Sequence, residues 1–406
     1  MGKRLYLFTS NFPFLKGEEF LENEVPVLVK HFDVYLIPLY AEGKQTRKTE
    51  KCKVVTDLSR ELSHRTLSKL SRIPFVIDDL YSELIQFVRD PRILRCLFSF
   101  AIAANRIENW FMNSKLANPS DQNVFYSYWM NPAALAIGEL RKKGFGNSVS
   151  ICRAHSGDLY FDREDNRLKY LPLRKKILQN IDRVFFISEH GRKYLEEKFP
   201  FFKKIYDLSY LGVKERTRQK GKNDIPILIS CSNIIPIKRV DLIIKSLALM
   251  KDHSFVWYHI GDGVGGSEIR KLAQNLLRKG TYSFLGRLTN EQVMEFYSNT
   301  LVDLFISTSL SEGLPVSMME AMSFGIPVIG TNVGGVSEIV NSENGMLLSE
   351  KPNAQEVANA ILEIIIRPEE KAEVLRRNAY DMWNKKFNAK NNYENFARKI
   401  GNLFDP

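Results

Sequence analysis

Short runs of β-branched and aromatic residues alternate along most of this chain with longer amphipathic stretches, the pattern of parallel sheets covered by helices. An α/β fold follows from that alternation. Strands are expected over 4–9, 33–39, 123–128, 148–154, 183–187 and 204–210, with crossover helices over 18–31, 131–143 and 189–198. A longer, mainly helical insertion spans 58–116, with Pro74 and Pro91 as breakers. After Leu211-Gly212-Val213 comes KERTRQKGKND, residues 214–224, which has no apolar side chain and reads as an interdomain linker. The alternation then restarts, with strands over 225–231, 255–260, 282–285, 302–307 and 327–330. The domains so drawn are 1–213 and 225–380, followed by a C-terminal helix over 381–406. Trp383, Phe387, Tyr393 and Phe396 are spaced to form an apolar stripe on that helix. Either the first domain or the helix's own domain covers it, and both readings stand open.

The 406 residues suit two domains of this kind. Cys52, Cys96, Cys152 and Cys231 stand far apart without a C-x-x-C spacing, which argues against a disulfide framework and a Cys-rich zinc site. The opening MGKRLYLFTSNFPF reads as a first strand and not as a signal peptide, and no apolar stretch approaches the roughly 20 residues of a membrane span. A cytoplasmic protein is expected. Of the net charge of +11, residues 1–212 hold most, with 34 Lys and Arg against 25 Asp and Glu, while the remainder holds 24 against 22. There is no dense basic tract and no nucleic-acid motif, so DNA or RNA is not an expected partner. In the insertion, Arg65, Lys69, Arg72, Arg89, Arg92 and Arg95 accompany Phe98, Phe100, Trp110 and Phe111. One reading is a surface leaning peripherally on the anionic face of the cell membrane; the other, slightly favoured, is a helical wall packing its aromatics inward.

The richest stretch is 309–327, SLSEGLPVSMMEAMSFGIP. A strand ending near Ser307 runs into a Gly-containing loop, and Pro315 falls where a first helical residue belongs. The free N–H groups and positive dipole end of such a helix seat an anion, and doubly wound folds bind ligands beyond the carboxyl ends of their strands. Glu312 stands before the helix and Glu320 within it, about 12 Å apart at 1.5 Å per residue, a span suited to two ends of one ligand. The bland alternative has Glu312 complementing the helix dipole and Glu320 facing solvent. His155 follows a predicted strand, in a loop position able to face a cleft. Asp158 either binds a hydroxyl or caps the next turn. No two aspartates are separated by one residue and no histidines show ligand spacing, so no metal is expected.

The Glu312 and Glu320 spacing, the GLP after the first glutamate, the EAM-x-x-G-x-P run and Gly334-Gly335 with Glu338 closely resemble the donor-binding region of family 4 retaining glycosyltransferases, enzymes of GT-B architecture with two Rossmann-like domains facing a central cleft. The resemblance extends over PIKRVD (236–241), Gly261-Asp262-Gly263 and Phe284-Leu285-Gly286-Arg287. In the first half, RAHSGDLY (153–160), Ile187-Ser188-Glu189 and Leu211-Gly212-Val213 look like enzymes that build bacterial surface polysaccharides. The resemblance implies that Glu320 binds the ribose of a nucleotide-sugar, that Glu312 contacts the transferred sugar, and that backbone groups of Gly313, Leu314, Pro315, Val316 and Ser317 hold its hydroxyls and diphosphate. It further implies Lys238 as the cation on the leaving diphosphate, main chain at Arg287 and Leu288 against the base, Gly261 beside the donor, and His155 presented to the sugar. Asn233 stands where this family commonly has a basic residue, so that either another base, Arg239 or Arg287, neutralises the second phosphate charge or the donor is held more weakly than is usual in the family. In the loop after the first strand, where related enzymes carry a more glycine-rich element, only Gly17 survives, and Gly17, Asn11 and Asp158 are candidates on the acceptor side.

The implied activity is retaining, metal-independent transfer of a sugar from a nucleotide-diphosphate donor to a growing, polyprenyl-linked glycan, without a bound cofactor. A nucleotide-sugar epimerase on the same fold and a non-catalytic nucleotide-sugar or glycan-binding protein are the alternatives. A nicotinamide enzyme is disfavoured, since the first strand leads into Thr9-Ser10-Asn11-Phe12-Pro13 and not into G-x-G-x-x-G.

Overall fold

A computed structural model describes residues 3–63, 90–163 and 166–404. The chain divides into two units, one comprising residues 1–211 together with 390–406, the other residues 212–389. Each is a parallel sheet covered by helices, so the expected pair of Rossmann-like units is what the chain forms.

In the first unit seven strands lie in the order β3-β2-β1-β4-β5-β6-β7. They are β1 Arg4–Thr9, β2 Asp33–Pro38, β3 Lys53–Val54, β4 Asn123–Ser127, β5 Val149–Ala154, β6 Arg183–Phe186 and β7 Tyr206–Leu208. The central strands are buried on both faces, which is why they read as continuous apolar runs. Period-two alternation sends Tyr6, Phe8 and Phe125 to one core, and Leu5, Leu7, Val124 and Tyr126 to the other. The first of these cores is closed by the helices Asp57–Ser63 (α1), Arg92–Ser114 (α2) and Pro132–Leu140 (α3). Along α2, Ile93, Leu97, Ala101, Ala104, Ile107 and Phe111 repeat at three and four residues and are buried, while Phe98, Phe100 and Trp110 pack partly buried against the same cluster. The described part of the insertion is therefore an inward-facing wall. Residues 64–89, with Arg65, Lys69, Arg72, Pro74 and Arg89, lie outside the described residues. Among the described residues no helix is long and apolar enough to cross a membrane.

The C-terminal tail is two helices, Glu369–Lys386 (α4) and Ala389–Gly401 (α5), so its four aromatics do not share one stripe. Trp383 and Phe387 belong to the second unit, whereas Phe396, Ala397 and Ile400 enter the second core of the first. The Phe396 ring meets Tyr126 at 5.5 Å and Phe185 at 4.9 Å edge-on, with the Arg153 guanidinium 4.1 Å from its centroid.

The second unit orders its strands β10-β9-β8-β11-β12-β13: β8 Ile227–Cys231, β9 Val256–Ile260, β10 Tyr282–Gly286, β11 Leu304–Ser307, β12 Val328–Thr331 and β13 Gly345–Leu348. Leu228, Trp257, Leu304, Ile306 and Ile329 anchor its core. The polar segment 214–224 is tied to this unit. Its side chains satisfy carbonyls in and just beyond the last turns of two helices, Asn290–Asn299 and Ala354–Ile365: Gln219 reaches the carbonyls of Tyr297 and Thr300, Lys222 that of Arg367, and Asn223 that of Leu301. Composition alone made this stretch read as a free linker, because partners of such polar side chains are invisible in sequence.

Candidate functional site

In both sheets the strand order reverses once, between β1 and β4 in the first and between β8 and β11 in the second. A crevice forms beyond the carboxyl ends of the two strands at such a point.

In the second unit the crevice is built by the loops after β8 and β11. The first ends in the short turn Pro236–Lys238, after which Arg239 takes left-handed φ 46 and the helix Val240–Ala248 begins. That conformation is held from across the crevice: Arg239 Nε donates to the Thr308 carbonyl at 2.6 Å, and Thr308 Oγ1 donates to the Arg239 carbonyl at 2.9 Å. The clamp aims the preceding residue, and Lys238 Nζ forms an ion pair with Glu312 Oε1. Both side chains are largely sheltered, at 23% and 13% exposure.

Behind Glu312 the loop is braced by the segment that follows β12. Gly335 N donates to the Gly313 carbonyl at 2.8 Å, and Gly334 sits at φ 55 so close that a Cβ there would lie 1.8 Å from the Glu312 carbonyl oxygen. Gly334→Ala must therefore move the loop that carries Glu312. A loss of about 1–3 kcal/mol in a urea melt is expected, together with weakened donor binding; an unchanged melt would contradict this account of the brace.

The helix that follows, Val316–Ser323 (α6), has Pro315 as its N-cap, one position earlier than expected, and no side chain caps it. Elsewhere Asn131, Ser188, Thr289 and Asn353 cap their helices with their own oxygens. The helices starting at Leu21, Arg92, Val240, Gly266 and Glu369 are likewise uncapped, but the amides opening α6 lie beyond β11 at the reversal point, where an anion can be seated. Met318, Met319, Ala321 and Met322 bury the far side of α6, and Glu320 is the half-buried residue among them. Its Oε1 accepts from Asn290 Nδ2, at the start of the helix after β10. Asn290 was missed in the sequence because nothing local marks it. It stands beside Leu288 and the exposed Arg287. Gly261, at φ 133, lies between the loops of its neighbours: its N–H donates to the Gly286 carbonyl at 2.8 Å, and a Cβ would come 1.9 Å from the Ser232 carbonyl. Of the two bases considered for the second phosphate, Arg239 gives its Nε to main chain and leaves Nη2 buried without a partner, and Arg287 faces solvent; Asn233 is exposed on the loop after β8.

In the first unit His155 follows β5 directly and is the N-cap of the turn Ser156–Leu159. Its ring lies 4.3 Å from that of Trp129 and 4.8 Å from that of Tyr128, is 6% exposed, and leaves Nε2 buried without a partner. Burial, reinforced by the Arg153 charge, pulls its pKa from the ordinary 6.5 down to about 3, so the imidazole is neutral at physiological pH. Of the two readings for Asp158, the geometry gives the cap: Oδ1 accepts from His155 N at 2.7 Å and Oδ2 from Met130 N at 2.6 Å, occupying both oxygens. Burial raises its pKa to about 6. The signs differ. A depressed imidazole contributes stability present above pH 6.5 and lost as pH falls towards 3. A raised carboxyl contributes stability present below its ordinary 3.8 and lost as pH rises through 6. His155→Gln should therefore flatten an acid-side loss of up to about 1.4 kcal/mol per pH unit below 6.5, read by urea melts from pH 4 to 7.

Sequence reasoning also missed Glu18, expected as a helical residue but found before the helix Leu21–His31 (α7) at left-handed φ 58, 6% exposed. Its carboxylate accepts from the amides of Ser10, Asn11 and Phe12 and from the Trp129 indole. Asn11 thus enters through its main chain, and Gly17, at φ 99, supplies the turn that brings Glu18 round.

Among known proteins, the chain is 28% identical over 250 residues to an uncharacterized glycosyltransferase of Methanocaldococcus jannaschii, covering 60% of this chain and 65% of that one. It is 29% identical over 194 residues to N-acetyl-alpha-D-glucosaminyl L-malate synthase of Bacillus anthracis, covering 48% and 45%. The matches thus span less than two thirds of these relatives' own lengths. Among solved structures, sucrose-phosphate synthase of Thermosynechococcus elongatus shares the fold at a TM-score of 0.73 with 16% identity, covering 99% of each chain. Anabaena HepE, solved with UDP and glucose, does so at 0.67 with 15% identity, covering 98% of this chain and 99% of that one. Both units thus have the fold of GT-B proteins. Residues 213–382, nearly all of the second unit, match the model of the family of glycosyl transferases group 1.

Proposed function

We propose that this protein is a retaining, metal-independent glycosyltransferase that moves a sugar from a nucleotide-diphosphate donor to a growing, polyprenyl-linked glycan of the cell surface, working at the cytoplasmic face of the membrane. The observation that carries the reading is the Lys238–Glu312 pair beside the uncapped start of α6, on a unit that matches the group 1 family model. Supporting it are a relative named for N-acetylglucosaminyl transfer to malate and a fold neighbour solved with UDP and glucose. When donor binds, the Lys238 ammonium turns from Glu312 to the diphosphate, and the freed carboxylate takes hydroxyls of the sugar. The α6 amides hold phosphate oxygens and Glu320 the ribose. As the bond to the leaving phosphate breaks, positive charge grows at the anomeric carbon. The phosphate oxygen accepts the acceptor hydroxyl's proton on the same face, which keeps the configuration. A neutral His155 offers a ligand of the first unit a hydrogen bond without adding a competing charge. The absence of a D-x-D pair in the sequence is the ground for metal independence.

Thermal unfolding against a panel of UDP-, GDP- and ADP-sugars tests the donor. Ligand at 100 times its Kd stabilises by about 2.7 kcal/mol. One donor should raise the transition, and Glu320→Ala should abolish the shift. A folded protein that responds to none contradicts the reading. Turnover of that donor without any acceptor would favour the epimerase, and a donor-binding protein whose His155→Ala variant loses nothing would favour the binding protein.

A further inference from the structure

The reversal point of the first sheet carries the same kind of seat as the second, and the chain fills it itself. Three consecutive amides, Ser10, Asn11 and Phe12, converge beyond the carboxyl end of β1, where a doubly wound unit ordinarily holds ligand phosphate. The Glu18 carboxylate occupies the point of convergence. Oε1 accepts from Ser10 N at 2.7 Å and from Trp129 Nε1 at 2.6 Å, and Oε2 from Asn11 N and Phe12 N, each at 2.8 Å. Four donors use essentially all the lone-pair capacity of a carboxylate. Among the described residues no Lys or Arg lies within ion-pair distance of it, so the charge is held by N–H groups alone, as in an anion-binding nest. The arrangement is kept although Glu18 sits in the left-handed region, unfavourable for a residue with a Cβ by roughly 1–2 kcal/mol.

The fourth donor makes the plug more than a loop staple. Trp129 follows β4, on the other side of the reversal point, and its ring lies 4.3 Å from His155. Glu18 therefore fixes the indole by its N–H, and the indole fixes the face against which the imidazole rests. We propose that Glu18 is an internal anion that closes the first unit's phosphate seat and, through Trp129, is the positioning residue for His155. The two units are thereby made unequal: ligand phosphate can be received by the amides of α6, while the first unit keeps a neutral imidazole. The link to His155 chemistry rests on the transferase reading; the plugged seat does not.

The test separates the two. In Glu18→Ala the three amides and the indole lose their anion, and formate or inorganic phosphate should restore it. The variant's melting temperature should rise saturably by a few degrees with formate at constant ionic strength while the wild type's does not, and phosphate should raise the variant's by more than the wild type's, whose α6 amides also receive phosphate. Trp129 emission, obtained as the difference from Trp129→Phe, should shift red in Glu18→Ala and return with formate. Equal responses of variant and wild type, or saturable phosphate binding by the wild type at this seat, would overturn the proposal. If Glu18→Ala does not fold, Glu18→Gln provides the reading: its amide has one acceptor oxygen, so Trp129 emission should shift, and an unchanged emission overturns the proposal. Under the transferase reading, Glu18→Gln should also lower kcat on the order of tenfold with donor KM unchanged. A change confined to donor KM would overturn the positioning role, whereas an inactive wild type would count against the transferase alone and leave the anion responses to decide this one.

Discussion

Lys238→Ala is expected to lower kcat by about 10²–10³-fold, the usual effect of removing one preorganised group that stabilises charge developing in the transition state. Two consequences add. The diphosphate loses its cation as it departs, and Glu312, only 13% exposed, loses its ion-pair partner in a sheltered crevice. Lys238→Arg should recover part of the loss, since it keeps the charge but replaces a point-like ammonium with a planar fork that cannot swing between Glu312 and phosphate in the same way. Steady-state kinetics with the donor found by thermal unfolding measures both. A Lys238→Ala enzyme within a few-fold of the wild type would mean that the leaving group is stabilised elsewhere.

The second large effect is on stability. Arg153→Met is expected to cost about 3–5 kcal/mol, because it leaves Glu24 as an uncompensated charge in the core. Arg153 and Glu24 are both fully buried, with Nη2 and Oε2 at 3.1 Å. The guanidinium also donates to Tyr126 Oη at 2.7 Å and to the Ser209 carbonyl at 2.8 Å, and covers the Phe396 ring. Burial pushes the Glu24 carboxyl up, and the Arg153 charge opposes that push, so removing the arginine leaves desolvation unanswered. Pairing the change with Glu24→Gln should return part of the loss, and a double-mutant cycle from urea melts measures the coupling. A single-variant loss below 1 kcal/mol would show that the pair is not what holds the C-terminal helix to the first sheet.

What could be read from the sequence follows from the range of each interaction. The central strands of both sheets were legible because burial on two faces leaves an uninterrupted apolar run. The edge strands Lys53–Val54 and Gly345–Leu348 were not, since two or four residues carry no pattern and their pairing comes from the neighbouring strand. The helix at α6 was legible to within one residue, with Pro315 outside it rather than in its first turn. The Lys238–Glu312 pair joins residues 74 apart in sequence, and only resemblance to a family brought them together. Glu18 was illegible for the same reason: its indole partner is 111 residues away, and four N–H groups override a local pattern that favours starting the helix at that residue. Segment 214–224 misled because polarity usually signals solvent, whereas here it answers carbonyls in and just beyond the last turns of helices.

The most direct test of the donor site is calorimetric titration of UDP, GDP and ADP into the wild type, Lys238→Ala and Glu320→Ala. One nucleoside diphosphate should bind the wild type, and each substitution should weaken it by about tenfold or more, the worth of one charge-assisted contact. Binding that survives both substitutions unchanged would place the nucleotide elsewhere and contradict the assignment of this crevice as the donor site.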